Sequence, residues 1–239
     1  MQFDTTASSS WKFGHRGRVA VFIDGNNLFH AARFHTIDID YNKLLRILLG
    51  DGRLLRAFFY TGVDAGAERQ QGFLLWMRRN GFRVVQKELK TFYDGTRKAN
   101  LDVEIAVDML SLAGRYDTAV LVSGDEDFVY AVNAVAYKGC RVEVAGFRSN
   151  TAPRLIDVAD FFIDLGDIAE AIKKDTTHGE GFEVPSFVPP EEAPVSDLDR
   201  ANPRQSPGRV RGRQSNSGGD PQNEQNGGAV DMHSITDDR

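Results

Sequence analysis

Cysteine is almost missing from this chain, since Cys140 is the only one in 239 residues. One cysteine cannot form an internal disulfide, and it cannot supply a cysteine-based zinc cage. The histidines show no zinc-type ligand spacing; they are His15, His30, His35, His178 and His233. These shortages exclude a disulfide scaffold and a Cys/His zinc site, and they favour a reducing cytoplasm as the location.

Long apolar runs are missing as well. No segment approaches the roughly 20 apolar residues that a transmembrane helix needs. Residues 1–17 are polar, apart from Trp11 and Phe13, and lack the apolar core of a secretory signal. We therefore expect a flexible N-terminal segment over residues 1–17, no membrane partner and a cytoplasmic protein.

Several common catalytic motifs do not occur. No Gly-x-Gly-x-x-Gly follows the first predicted strand, and there is no Walker A lysine motif. No Gly-x-Ser-x-Gly elbow is present, and Ser123 has no evident histidine partner. Asn26 occupies the position at which an Asp-x-Asp phosphatase carries its second acid. Dinucleotide, P-loop, serine-hydrolase and phosphatase functions are therefore disfavoured.

A basic excess is also absent, although the net charge of −5 is unevenly placed. Residues 174–239 carry 7 basic and 12 acidic side chains, whereas residues 1–173 carry 22 of each. The neutral part lacks the surplus that is typical of nucleic-acid binders, but a local cationic rim is compatible with a neutral total. The sequence composition thus weakens a nucleic-acid function without excluding it.

After residue 173 the sequence is rich in Pro, Gly, Ser, Asn and Gln and has little periodicity. This composition predicts a disordered polar tail over residues 174–239. Two pieces, 182–194 and 209–213, are candidate motifs for a protein partner. A plain linker is the favoured interpretation for both.

What the chain does contain is an alternation of apolar runs and amphipathic stretches between residues 18 and 173. The predicted strands are Val19–Ile23, Leu54–Tyr60, Phe82–Lys87, Thr118–Val122, Arg141–Phe147 and, as a sixth candidate, Phe161–Asp164. Helical patterns lie between them, and Gly81 and Gly139 are stop signals. This order predicts one α/β domain with a parallel sheet of five to six strands and helices on both faces.

Aspartates follow two of the predicted strands and open one helix. Asp24 comes directly after the first strand, Asp125 and Asp127 follow the fourth, and Asp102 begins the helix near Leu101. Each acid alone has an ordinary explanation as a turn or helix-capping residue. Ser123 and Glu126 have the spacing of a capping box, and we assign both mainly to capping.

The combination of acids is more informative than any single one. Ligands of parallel sheets collect beyond the carboxyl ends of the strands, where the four acids are expected to converge. Carboxylates held so close repel each other unless a cation offsets their charge. An all-oxygen set suits Mg²⁺ or Mn²⁺, which support phosphodiester hydrolysis. The sequence therefore predicts a metal site formed by Asp24, Asp102, Asp125 and Asp127.

Four motifs together resemble the NYN-domain family, which is PIN-like, and within it the bacterial LabA-like branch. They are Val21–Asn27, Lys98–Val103, Val107–Asp108 and Val122–Phe128. The resemblance implies a Rossmann-like PIN sheet and a metal-dependent ribonuclease that cuts RNA. By position, the four acids above match the family's metal-binding set and Asn27 its polar helper. Asp108 matches a recurrent acid of secondary importance.

Substrate contacts are the least determined part of the sequence. Lys90, Arg97 and Lys98 are the best phosphate-binding candidates, because their loop leads into Asp102. Most exposed basic side chains are simply solvated, however. In the same loop, Phe92 and Tyr93 are candidates for base stacking, although anchoring of the loop to the core is favoured.

Three functions remain open from the sequence. The leading hypothesis is a Mg²⁺- or Mn²⁺-dependent endoribonuclease that acts on single-stranded RNA. The first alternative is a non-catalytic PIN-like protein that binds RNA or serves as a regulatory scaffold, which the neutral domain and the long tail favour. A structure-specific DNA nuclease is the third.

Overall fold

The computed structural model describes residues 15–64, 68–91, 97–175 and 186–187. The strands are β1 (Arg18–Asp24), β2 (Arg53–Val63), β3 (Phe82–Glu88), β4 (Lys90–Thr91), β5 (Arg97–Lys98), β6 (Thr118–Val122), β7 (Arg141–Gly146) and β8 (Phe161–Asp164). The helices are α1 (Gly25–Phe34), α2 (Tyr41–Leu49), α3 (Glu68–Arg79), α4 (Asp102–Leu112), α5 (Val129–Ala136), α6 (Pro153–Val158) and α7 (Ala169–Ile172). The expectations for residues 1–14, for most of the tail and for Phe92 and Tyr93 lie outside the described residues.

Six strands form one parallel sheet in the order β3-β2-β1-β6-β7-β8. The chain runs outward from β1 to β2 and β3, and then returns to pair β6 with the other side of β1. The strand order therefore reverses between β1 and β6, and in such sheets the crevice at the carboxyl ends of these two strands is the usual ligand site.

The strands are buried on both faces because helices cover each side of the sheet. Val19, Val21 and Ile23 of β1 belong to a core that includes apolar residues of α1, α2 and α3. The alternate residues Ala20 and Phe22 belong to a second core with α4 and α5. This alternation follows from the two-residue period of a strand and explains the unbroken apolar run at residues 19–23.

The predicted α/β fold is confirmed, including the sixth strand at Phe161–Asp164. Gly81 and Gly139 have φ of 88° and 82°, the left-handed conformation that a glycine after a helix supplies. The short antiparallel pair of β4 and β5 was not predicted, since two residues per strand give no periodicity. Among the described residues, no helix has the length and the apolar character to cross a bilayer.

A buried ion cluster ties residues just before β1 to the sheet. The Glu143 side chain on β7 is only 1% exposed and accepts a hydrogen bond from Arg16 Nε at 3.1 Å. Arg141 Nε lies 2.7 Å from the same carboxylate.

Ser186 and Phe187 also contact the domain, and Phe187 is buried in the first core. Residues that contact the core therefore extend beyond 18–173.

We predict that Glu143→Ala lowers the free energy of unfolding by about 3–5 kcal/mol, because both arginines lose the carboxylate that compensates their burial. Urea denaturation at neutral pH measures this loss. Glu170→Ala is the matched control, since the Glu170 side chain is 91% exposed and its distance to Lys173 is 3.9 Å. We expect a change below about 0.5 kcal/mol for that variant. Equal effects of the two substitutions would contradict the assignment.

Candidate metal centre

The reversal of strand order brings Asp24 and Ser123 together. Ile23 pairs with Val122 in the register of β1 and β6, so the next residues of both strands leave the sheet side by side. Ser123 Oγ donates a hydrogen bond of 3.2 Å to Asp24 Oδ2. The other oxygen, Asp24 Oδ1, accepts from the backbone N–H of Asn27 at 3.1 Å and caps α1. Asp24 therefore caps α1 and, at the same time, contacts the loop after β6.

Asn27 connects this corner to the loop after β6. Its side-chain oxygen accepts a hydrogen bond of 2.9 Å from the backbone N–H of Gly124. A Cβ atom on Gly124 would lie 2.0 Å from the carbonyl oxygen of Asn150, so only glycine fits there. The polar helper that the family resemblance implied is thus a residue that fixes the backbone between Ser123 and Asp125.

The loop after β6 carries Asp125 and Asp127, but it is capped differently from our expectation. The expected capping box of Ser123 and Glu126 is wrong, because the chain stays extended through Asp125 before a 3-10 turn begins at Glu126. Asp125 caps that turn by accepting from the backbone N–H of Asp127 at 3.0 Å. Glu126 instead pairs with Arg154 at 2.6 Å.

Asp102 is held at the start of α4 by Asn100, a residue that we did not predict. Asn100 Nδ2 donates to Asp102 Oδ2 at 2.6 Å, and Asn100 Oδ1 accepts from the backbone N–H of Asp102 at 2.8 Å. Lys87 donates to the carbonyl oxygen of Asn100 at 2.9 Å and to Glu104 at 2.7 Å. The Asn-x-Asp spacing was the available signal, since asparagine often binds the backbone two residues ahead.

Three of the four predicted acids form one cluster. One carboxylate oxygen from each of Asp102, Asp125 and Asp127 lies within 4.8 Å of the other two. Asp24 lies beside this group, and its charge interacts with those of Asp102 and Asp125. Asp24 is not one of the three mutually close acids, because both of its oxygens are directed to Asn27 and Ser123.

The electrostatics of the cluster show the effect of crowded negative charge. Burial, reinforced by the charges of Asp102 and Asp125, raises the pKa of Asp24 to about 6, against the opposing hydrogen bond from Asn27. Burial also raises the pKa of Asp102, and the nearby Asp125 and Asp127 add to this increase. Burial is thus the main cause of both raised pKa values, and the neighbouring carboxylates add to it.

The donor set fits a hard divalent cation. All three clustered ligands are carboxylates, which suit Mg²⁺ and Mn²⁺ and exclude the thiolate and imidazole cages of zinc. A bound cation would favour the charged form of Asp102 and so oppose the burial and the neighbouring carboxylates that raise its pKa.

Asp108 has a different environment from the clustered acids. Its carboxylate accepts a hydrogen bond of 2.9 Å from the hydroxyl of Tyr60 on β2. The raised pKa of Tyr60 reflects its burial first and the adjacent Asp108 second. Asp108 therefore links α4 to the sheet rather than joining the described cluster.

The predicted phosphate-binding residues lie on the short β4–β5 pair, a few residues before Asp102. Lys90 and Lys98 are exposed and stand directly opposite each other. Neither forms an ion pair with another described residue, so they present a patch of two like charges. Arg97 differs, because its guanidinium lies 2.7 Å from Asp64 at the end of β2. Arg97 is thus a structural anchor of the hairpin in this geometry.

A six-stranded parallel sheet with helices on both faces and acids at its carboxyl edge defines the PIN-like class of α/β domains. The chain belongs to the NYN domain family, whose model matches residues 18–166. Members of this family are generally PIN-like nucleases, act on nucleic acids and use divalent metal ions.

Individual relatives agree with this assignment. The chain is 36% identical over 165 residues to the low amplitude and bright protein LabA of Synechococcus elongatus, covering 66% of this chain and 88% of LabA. It is 24% identical over 153 residues to the uncharacterized protein MJ0482 of Methanocaldococcus jannaschii, covering 63% and 56% of the two chains. A solved structure from Vibrio parahaemolyticus, of a protein of unknown function, matches with a TM-score of 0.59 at 27% identity and covers 67% of this chain and 98% of that one. The similarity to LabA confirms the LabA-like placement.

We predict that Asp24 makes the metal-free protein less stable as the pH rises. Its pKa of about 6 exceeds the unfolded value of 3.8, so the unfolded chain loses this proton first and gains stability relative to the folded chain between about pH 4 and pH 6. A shift of this size corresponds to roughly 2–3 kcal/mol. Asp24→Asn keeps the side-chain shape and removes this loss. Urea denaturation in EDTA across that range measures the slope, and equal slopes for wild type and variant would contradict the prediction.

Proposed function

We propose that this protein is a divalent-metal-dependent ribonuclease that hydrolyses phosphodiester bonds of single-stranded RNA. The observation that carries the proposal is the cluster of Asp102, Asp125 and Asp127, whose oxygens lie within 4.8 Å of one another. This cluster lies where the strand order reverses, in a chain of the NYN family. Mg²⁺ or Mn²⁺ is the cofactor that such ligands favour.

The three clustered aspartates are the residues that would hold the cation, with Asp24 as a fourth carboxylate beside them. A bound Mg²⁺ or Mn²⁺ supplies an activated water and stabilises developing negative charge in phosphodiester cleavage. The protein itself contributes by holding these carboxylates in position. Asn100 orients Asp102. Ser123 links Asp24 to the backbone of Asp125, whose N–H donates to Ser123 Oγ at 3.3 Å.

Charge placement supports a nucleic-acid substrate despite the neutral total. Lys90 and Lys98 place two exposed ammonium groups on the hairpin that leads into Asp102. Lysines near an acidic metal site attract the phosphates that flank the reacting one, which the carboxylates alone would repel. Arg97 supports these two lysines indirectly, because its hydrogen bond to Asp64 holds the β4–β5 pair in place.

We predict metal-dependent cleavage of single-stranded RNA that EDTA abolishes. Asp102→Asn and Asp125→Asn should each lower kcat/KM by at least about 100-fold, since loss of even an outer-sphere partner of a metal site costs 10–100-fold. Mn²⁺ affinity, measured by calorimetry, should fall in the same variants. The assay follows a labelled oligonucleotide with Mg²⁺, with Mn²⁺ and with EDTA.

Asp117→Asn is the matched control, because it removes the same charge but lies before β6, at the opposite edge of the sheet, where it pairs with Arg18. Tight RNA binding without cleavage, unchanged by Asp102→Asn, would replace the proposal with the RNA-binding scaffold. Cleavage restricted to DNA would show that the substrate is DNA and not RNA. Equal activity in Asp102→Asn and Asp117→Asn would remove the acid cluster from the mechanism.

We predict that Lys90→Gln combined with Lys98→Gln raises KM by roughly three- to tenfold at low salt and leaves kcat nearly unchanged, because the two charges bind phosphates without touching the reacting one. The effect should shrink as salt increases. Lys138→Gln, an exposed lysine after α5, is the control. An unchanged KM together with an unchanged salt dependence would exclude this surface as a substrate contact.

A further inference from the structure

An aromatic side chain from the C-terminal region occupies a pocket on the face of the sheet covered by α1, α2 and α3. Phe187 is only 4% exposed. Its ring centroid lies 5.2 Å from those of Phe59 and Phe73 and 5.7 Å from that of Phe29. Ring pairs at these separations contribute beyond their buried area. Phe187 is thus held by three rings from β2, α3 and α1.

A polar contact at the rim fixes the residue before it. Ser186 Oγ donates a hydrogen bond of 2.9 Å to Asp38 Oδ2 and accepts one of 2.8 Å from Lys174 Nζ. Lys174 also lies 3.2 Å from Asp38. An apolar pocket with a few placed polar groups at its edge is the usual form of a site that recognises a specific ligand.

The pocket is built by residues far from its occupant in the chain. The space beside the Phe187 ring is walled by α1, by the segment that joins α1 to α2, and by Tyr41 at the start of α2. A cavity of about 380 Å³ remains beside Phe187, lined by residues that include Phe29, Ile37 and Ile39. This space continues the apolar surface past the Phe187 ring, so the site has room for more of a peptide than this one side chain.

We propose that this pocket is a docking site for an aromatic Ser-Phe peptide, which the chain's own Ser186 and Phe187 occupy as an exchangeable ligand. The aromatic ring supplies the apolar anchor, and the serine hydroxyl selects the register through Asp38 and Lys174. The proposal is independent of the ribonuclease function, because it involves none of the clustered acids.

The fluorescence of Trp76 reports on the occupancy of this pocket. Its ring packs on Phe73 at a centroid distance of 6.2 Å, and Phe73 contacts Phe187. The chain has two tryptophans, so a Trp11→Phe background leaves Trp76 as the sole emitter. In that background, the full chain with Phe187→Ala has an emptied pocket. A synthetic peptide with the sequence of residues 183–190 is then titrated against it.

We expect saturable peptide binding to the Phe187→Ala chain, and binding at least about tenfold weaker to the chain that keeps Phe187, because the tethered segment competes at an effective concentration near the millimolar range. A peptide with alanine in place of the phenylalanine should not bind. A peptide with alanine in place of the serine should bind at least roughly fivefold more weakly, because it loses the hydrogen bonds to Asp38 and from Lys174. Phe34→Ala, which removes a 71% exposed ring from α1, is the matched control and should leave the competition intact.

Equal binding to both chains would overturn the proposal, and so would the absence of saturable binding to a folded Phe187→Ala chain. Phe187→Leu is the second variant, since it keeps an apolar side chain in the pocket and should bind the peptide with intermediate affinity. If neither variant folds, as judged by circular dichroism, Phe187 is an integral core residue and the docking interpretation is wrong.

Discussion

The structure depends on holding several carboxylates close together at one edge of a sheet. Each is oriented by a donor on the chain: Asn27 and Ser123 for Asp24, Asn100 for Asp102, and the backbone of Asp127 for Asp125. These hydrogen bonds fix positions but carry no full positive charge, which is why burial and mutual repulsion still raise the pKa of Asp24 and Asp102. These hydrogen bonds therefore preorganise the carboxylates of the candidate site before any ligand binds.

The fold itself was largely predictable from the sequence because its strands are buried on both faces. The apolar runs at residues 19–23 and 118–122 appear in the structure as central neighbours, whereas the order of the strands across the sheet was not predicted. The β4–β5 hairpin escaped prediction because two-residue strands leave no pattern. The burial of Phe187 escaped it because the surrounding composition is that of a polar tail, and one ring in such a segment has no periodic partner.

The sequence predicted that acids would gather at this end of the sheet, but it did not predict the residues that support them. The rule that parallel strands end at one edge places Asp24 beside the loop of Asp125 and Asp127, whereas Asp102 approaches that loop from the start of α4, which the rule does not cover. The contacts of Asn100 and Ser123 were not predicted, because they depend on which atoms face each other after folding. The Ser-x-x-Glu spacing predicted a capping box, but the register of β1 against β6 places Asp24 within reach of the Ser123 hydroxyl, and that tertiary contact prevailed.

The net charge of the domain is a poor guide to its local charge distribution for a physical reason. Many basic residues of the domain are engaged with acids inside it: Arg16 with Glu143, Arg18 with Asp117 and Arg97 with Asp64. These pairs cancel in the total and leave little long-range field. What remains is local, with carboxylates at the candidate metal centre and Lys90 opposite Lys98 on the β4–β5 pair that precedes Asp102 in the chain. Because screening confines such fields to about 10 Å at ordinary salt, a charged ligand responds to the local arrangement of charges rather than to the sum over the domain.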